Sequence, residues 1–251
     1  MSETSERAIR IGVIGAGVMG HGIAQTMATA GYSTICTDIS SEALEKARES
    51  VRSGRFGLDG GVERGKLTRE QADAALARLQ FTESLEEAAK VDLVIECVPE
   101  QLYLKMAVLR QLDELAPEGT ILASNTSGFP IAGLAGATQR PEKVVGWHWA
   151  SPPVVMKFAE IVRGPATDEA TVEAVREAAV ACGKNAVVVN DSAMNWGFVA
   201  NRVYGAMIRE AARVVDEGVA THEEVNQLMV DCFRWPVGPF AMVKGAGSGW
   251  D

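Results

Sequence analysis

Residues 8–20 read Ala8-Ile9-Arg10-Ile11-Gly12-Val13-Ile14 and then Gly15-Ala16-Gly17-Val18-Met19-Gly20. The first seven are a short apolar run with β-branched residues, and a helix-forming stretch, Met19–Ala30, follows the glycines. G-x-G-x-x-G alone matches many glycine-rich sequences, but between a strand and a helix it acquires a mechanism. Gly15 makes the tight turn, Gly17 lets a pyrophosphate approach the backbone, and Gly20 lets the helix pack close to the strand. The helix then turns its free N–H groups and its positive dipole end, at Val18 and Met19, toward those phosphates. A glycine turn followed by an aspartate helix cap is the plainer alternative.

Outward from this stretch, short strand-like runs alternate with helical ones, the pattern of a parallel α/β sheet. Strands are expected at Tyr32–Thr37, Val91–Val98, Thr120–Ala123, Lys143–His148, Phe158–Val162 and Asn185–Val189. Helices are expected at Ser41–Arg52, Arg69–Leu79, Gln101–Leu115 and Asp168–Cys182, with a loop or helix interruption over Ser53–Gly65. From Trp196 onward only helical patterns remain, Val199–Val215 and His222–Cys232. The expected fold is therefore α/β, a Rossmann-type mostly parallel sheet over residues 1–190, with a short all-helical C-terminal domain over residues 191–251. Asp38 ends the second strand 18 residues after Gly20, where a carboxylate accepts hydrogen bonds from ribose hydroxyls. It would repel a 2′-phosphate, and no arginine immediately follows it, so NAD is favoured over NADP.

Composition excludes several classes. The chain has 251 residues, 47% hydrophobic and 23% charged, as in ordinary soluble globular proteins. A net charge of −9, from 24 basic against 33 acidic residues, argues against a nucleic-acid or anionic-membrane surface. No run approaches the roughly 18 apolar residues of a membrane span, and Met1–Arg7 does not resemble a signal peptide. Cys36, Cys97, Cys182 and Cys232 lack CxxC spacing and read as buried reduced thiols, which fits a cytoplasmic protein. Three histidines are too few for a His-rich metal centre, and no metal site is expected.

Hydride chemistry needs a group that moves a proton, and histidine, with an unperturbed pKa near 6.5, suits it. His148 ends a strand in Gly146-Trp147-His148-Trp149; taken alone it also fits a packed core histidine. Glu160 lies within Phe158-Ala159-Glu160-Ile161-Val162, where a carboxylate is costly unless paired. A neighbouring strand could bring it to His148; the alternative is the wet face of an edge strand. His21 and His222 read as helix-end or surface residues.

Ser124-Asn125-Thr126-Ser127, His148 in GWHWASPP, Glu160 in AEIV and Gly197-Phe198-Val199-Ala200-Asn201-Arg202 occur in the order seen in the L-3-hydroxyacyl-CoA dehydrogenase family. GAGVMGHGIA, VIECVPE with Lys105, and Gly238-Pro239-Phe240 match it too, so the resemblance runs from about Ile9 to Phe240. It implies a catalytic constellation of His148, Glu160, Ser127 and Asn201. Ser127 and Asn201 would hydrogen-bond the reacting oxygen, His148 would be the general base in oxidation, and Glu160 would orient it. Glu100, Lys105, Ser127 and Ser151 would line the cofactor; a helix-entry acid and a surface lysine are the plain alternative for the first two.

The chain departs from the family in three places. Ser151 stands where the family has an asparagine, the Asp191–Trp196 loop is longer, and Gly54–Gly61 (GRFGLDGG) lacks the family's serine and lysine contacts to coenzyme A, for which Arg52 or Arg55 could substitute. The resemblance therefore leaves open a 3-hydroxyacyl-CoA, a small free hydroxy acid or a hydroxypyridine carboxaldehyde as substrate. An NAD-binding relative without turnover is a further alternative. The related 3-hydroxyisobutyrate-type family ranks low, because it uses a catalytic lysine on a long helix. The resemblance implies a homodimer. Family members continue past Gly238-Pro239-Phe240 with helices that complete a dimer interface and part of the cofactor cleft, whereas this sequence ends eleven residues after Phe240. Either a partner subunit covers the cleft or the sequence is trimmed.

Overall fold

The computed structural model describes residues 9–192 and 195–247. They divide into two compact units, with the boundary between Trp196 and Gly197. The first unit runs β1 (Arg10–Ile14), α1 (Val18–Thr29), β2 (Ser33–Thr37), α2 (Ser41–Ser53), α3 (Leu58–Glu63), α4 (Arg69–Ala77), β3 (Leu79–Thr82) and α5 (Leu85–Ala89). It continues with β4 (Leu93–Glu96), α6 (Leu102–Leu115), β5 (Ile121–Ser124), α7 (Ile131–Ala135), β6 (Val144–Trp149), β7 (Phe158–Arg163), α8 (Glu169–Ala181) and β8 (Asn185–Asn190). The second unit holds α9 (Val199–Asp216), α10 (His222–Phe233) and α11 (Pro239–Gly247).

The eight strands form one sheet in the order β3-β2-β1-β4-β5-β6-β7-β8. Neighbours are parallel except β6 and β7, which run antiparallel. This is the mostly parallel Rossmann-type sheet expected from the sequence. Central strands are covered on both faces, so they read as continuous apolar runs rather than alternations. All four residues of β4 and all six of β6 are buried. Ile11, Val13, Ile95, Ala123, Val145 and Trp147 form the middle of the core, with Ile23 and Met27 of α1 packed on it. α2 buries only Leu44, Ala47 and Val51, one face of a helix started by the Ser40 side chain, which accepts from Ala43 N–H. The parallel order puts the C-terminal ends of β1, β2, β4, β5 and β6 along one edge of the sheet, where open α/β folds bind ligands.

Several expectations need correction. Ser53–Gly65 is not all loop, since α3 fills Leu58–Glu63, and the helix at Arg69 stops at Ala77 because Leu79 already pairs with Thr34 in the sheet. The expected strand Val91–Val98 is trimmed to Leu93–Glu96. The first unit also reaches past residue 190: Asp191 N–H donates to Arg163 O, and its carboxylate accepts from the N–H groups of Ala132 and Ser192. Ala193 and Met194 of the long loop lie outside the described residues, as do Met1–Ala8 and the last four residues. All four cysteines are free, but only Cys36 is fully buried and Cys232 is exposed on α10, against the expectation of four buried thiols. Burial pushes the Cys36 and Cys182 thiols up to about 12.

Candidate active site

Gly15 has φ +103°, a left-handed conformation that favours glycine, and donates its N–H to Thr37 O. A Cβ on Gly20 would lie 1.7 Å from Gly15 O, so any side chain there forces the helix off the turn. Gly17 differs: a Cβ there would meet nothing within 4 Å. The space over Gly17 is open, and Gly17 starts α1 without a side-chain cap. The first-turn N–H groups thus face a cavity, as an anion cradle requires. Asp38 closes the loop, its Oδ2 accepting from Ala16 N–H at 2.8 Å and its Oδ1 from Ser40 N–H at 3.0 Å. The cavity here measures about 640 Å³ and is lined by Gly15, Gly17, Val18, Met19, Asp38, Glu100, Lys105 and Ser127, among others. These residues fit a dinucleotide: open glycine backbone for the pyrophosphate, a carboxylate for the ribose and an apolar wall that includes Leu104 and Val108.

A buried charge network braces the far wall. Lys105 Nζ lies 2.8 Å from Glu96 Oε1 and 3.2 Å from Glu100 Oε2. Glu96, at the end of β4, also accepts from Ser124 Oγ at 2.6 Å and Val98 N–H at 2.7 Å. Burial raises the Glu96 carboxyl above its ordinary value, against the pull of Lys105. Burial alone would lower the Lys105 ammonium, but Glu96 and Glu100 outweigh it and leave it raised. Glu100 carries the network across to the next strand, its Oε1 accepting from Thr126 Oγ1 at 2.6 Å and Ser127 N–H at 2.9 Å. The backbone of Ser127 is thereby tied to the cavity wall. Lys105 is no surface lysine, and Glu96 escaped the sequence reading although a carboxylate in an apolar strand was the signal used for Glu160.

His148 and Glu160 sit directly opposite each other in the β6–β7 ladder. Directly opposed residues share a face of the sheet. The His148 Nδ1 and Glu160 Oε2 are 2.7 Å apart, and both side chains are buried. The Phe158 ring meets the imidazole edge-on at 5.1 Å. One residue on, Trp149 stacks at 4.8 Å on Trp147 and donates its backbone N–H to Asn125 Oδ1. Asn125 lines the cavity, so the histidine strand is bonded to its wall.

The remaining candidates are placed as follows. Ser151 is exposed and does not line the cavity. Asn201 lies in the first turn of α9, in the second unit. His21 bonds Gly17 O through Nδ1, and burial lowers its pKa. His222 opens α10 and packs edge-on against Phe240 at 4.4 Å. Arg55 stacks on Phe56. Among the described residues no cluster of His, Cys, Asp and Glu could hold a metal ion.

Comparison with known proteins identifies the family. Residues 10–192 match the family model for the NAD binding domain of 3-hydroxyacyl-CoA dehydrogenase, and residues 197–250 the model for its C-terminal domain. A Bacillus subtilis protein described as a probable 3-hydroxybutyryl-CoA dehydrogenase is 41% identical, over 95% of this chain and 81% of its own length. The crystal structure of (S)-3-hydroxybutyryl-CoA dehydrogenase from Ralstonia eutropha superposes with a TM-score of 0.88 at 38% identity, covering 94% of this chain and 81% of that one. A 5-formyl-3-hydroxy-2-methylpyridine 4-carboxylate 5-dehydrogenase from Mesorhizobium japonicum is 34% identical, over 94% of this chain and 75% of its own. The chain belongs to the 3-hydroxyacyl-CoA dehydrogenase family and is an NAD-dependent oxidoreductase.

Proposed function

We propose that this protein interconverts a 3-hydroxyacyl-CoA and the 3-ketoacyl-CoA, as a homodimer in the cytoplasm, with His148 as the proton carrier. The observation that carries the proposal is the buried His148–Glu160 pair on neighbouring strands, at the sheet edge that also holds the glycine loop. NAD, when bound, supplies the carbon that accepts hydride from the substrate carbinol. Glu160 accepts a hydrogen bond from Nδ1–H of His148, which leaves the Nε2 lone pair to take the hydroxyl proton as the C–H bond breaks. The imidazolium that forms is stabilised by the carboxylate 2.7 Å away. In reduction the same Nε2 returns the proton to the oxygen. Ser127, held by Glu100, and Asn201 are the proposed donors to that oxygen, where they stabilise negative charge.

NADH formation with 3-hydroxybutyryl-CoA, free 3-hydroxybutyrate and a hydroxypyridine carboxaldehyde tests the substrate. Preference for the thioester supports the proposal. Preference for either free compound overturns it in favour of the second reading, which the exposed Ser151 and the unmatched Gly54–Gly61 stretch favour. His148→Ala should lower kcat by roughly 10²–10⁴-fold, the share of a general acid–base. NADH affinity should hardly change, because His148 does not line the glycine-loop cavity. Near-parental turnover in that variant sinks the assignment.

A further inference from the structure

Lys184 sits in the turn between α8 and β8 and is only 6% exposed. Its Nζ donates to Pro153 O at 2.5 Å and to Met156 O at 2.7 Å. The same ammonium stands 5.1 Å from the centroid of the Trp149 ring. Among the described residues it forms no ion pair, and burial lowers its pKa. A buried ammonium without a carboxylate is costly unless its hydrogen bonds are met. Here they are met by two carbonyls of a single turn and by an aromatic face.

That turn follows the end of β6 at Trp149, the residue after His148. Val155 and Met156 both donate their N–H groups to Pro152 O, and Pro153 has no N–H to give. Within the turn, carbonyls therefore outnumber available donors, and Lys184 supplies the missing ones. Pro153 also fits against Gly22 of α1, where a Cβ would come within 2.6 Å of its ring. At its other end the segment is pinned by Trp149 N–H on Asn125 Oδ1 at 2.9 Å. The indole N–H of Trp149 has no acceptor among the described residues, so the ring is held through Trp147 and the ammonium.

We infer that Lys184 is a positioning residue for the histidine: its buried ammonium clasps the 153–156 turn and the Trp149 ring, and so sets where β6 ends and where His148 presents its imidazole. The inference rests on the reading of His148 as the proton carrier. A small displacement of a proton carrier costs much rate and little cofactor affinity, so Lys184→Met should lower kcat with 3-hydroxybutyryl-CoA roughly ten- to hundredfold. The NADH dissociation constant should move by less than about twofold, since the glycine loop lies outside the clasp. Lys184→Arg, which keeps charge and donors, should recover most of the loss.

Hydrogen–deuterium exchange on the NADH-bound protein supplies a readout independent of turnover. Exchange over residues 149–157 should quicken in Lys184→Met while residues 9–20 stay unchanged. Unchanged exchange over 149–157 overturns the clasp. A fall in kcat matched by an equal fall in NADH affinity, or no recovery in Lys184→Arg, overturns the positioning role in favour of a general structural one. Lys184→Gln serves the same comparison if Lys184→Met does not fold, and failure of both to fold also overturns it. If the parent protein does not turn over 3-hydroxybutyryl-CoA, the substrate reading has failed, and the exchange comparison still decides on the clasp.

Discussion

Lys105 is 1% exposed between two carboxylates, Glu96 and Glu100, and through Glu100 it reaches the backbone of Ser127. Two desolvated charges offset each other, but removing one strands the other, which costs about 3–5 kcal/mol. Lys105→Met should therefore lower the unfolding free energy by about that amount in urea titrations, and Glu96→Gln/Lys105→Met should recover a large part. A double variant no more stable than the single one contradicts the pairing. From the sequence, Lys105 was placed by family resemblance, with a surface lysine as the plain alternative. Its true environment depends on Glu96, nine residues earlier at the end of another element, and spacing alone does not pair two residues across a turn.

At the scale of elements, strong caps and long periods were the legible parts. Asp168 caps α8, accepting from Thr171 N–H at 2.6 Å and from Lys143 Nζ at 2.8 Å. The hydrogen bond from Lys143, then that from Thr171, hold its carboxyl at about 2, below the ordinary 3.8. A carboxyl depressed in the folded state stabilises above its unfolded value, and that stability is lost as pH falls through the folded one. Asp168→Ala should thus destabilise by about 1 kcal/mol at neutral pH, a typical cap contribution. The gap to the parent should close between pH 3.8 and about 2, read by denaturant unfolding across pH. A gap constant with pH excludes the charged cap. The elements that went unforeseen are short. β3 has four residues and follows α4 after a single residue, so its Leu79 reads as the tail of a helical period. α5 and α7 have five residues each, too few for a 3.6-residue period to show.

For the whole molecule, the second unit keeps little of its apolar surface inside. Of α9 only Ala211 is buried and of α10 only Val225, while Val199, Val203, Leu228 and Phe233 are exposed. Exposed apolar surface of this kind marks association sites, and a second copy of the chain is the proposed occupant. Light scattering should give twice the chain mass, and Val203→Asp/Leu228→Asp should shift it toward the monomer; a monomeric parent refutes the dimer. The sequence by itself determined the α/β sheet, the glycine cradle, Asp38 and the His148–Glu160 candidates. Each of these is written in local order: an apolar run, a turn, a helix start, or a costly carboxylate in a strand. Only the tertiary structure decided that His148 and Glu160 are cross-strand partners, that Lys105 is buried between Glu96 and Glu100, and that Lys184 closes over the turn after the histidine. Those pairings join residues from different elements, and burial, which gives them their energy, exists only once the sheet has brought the elements together.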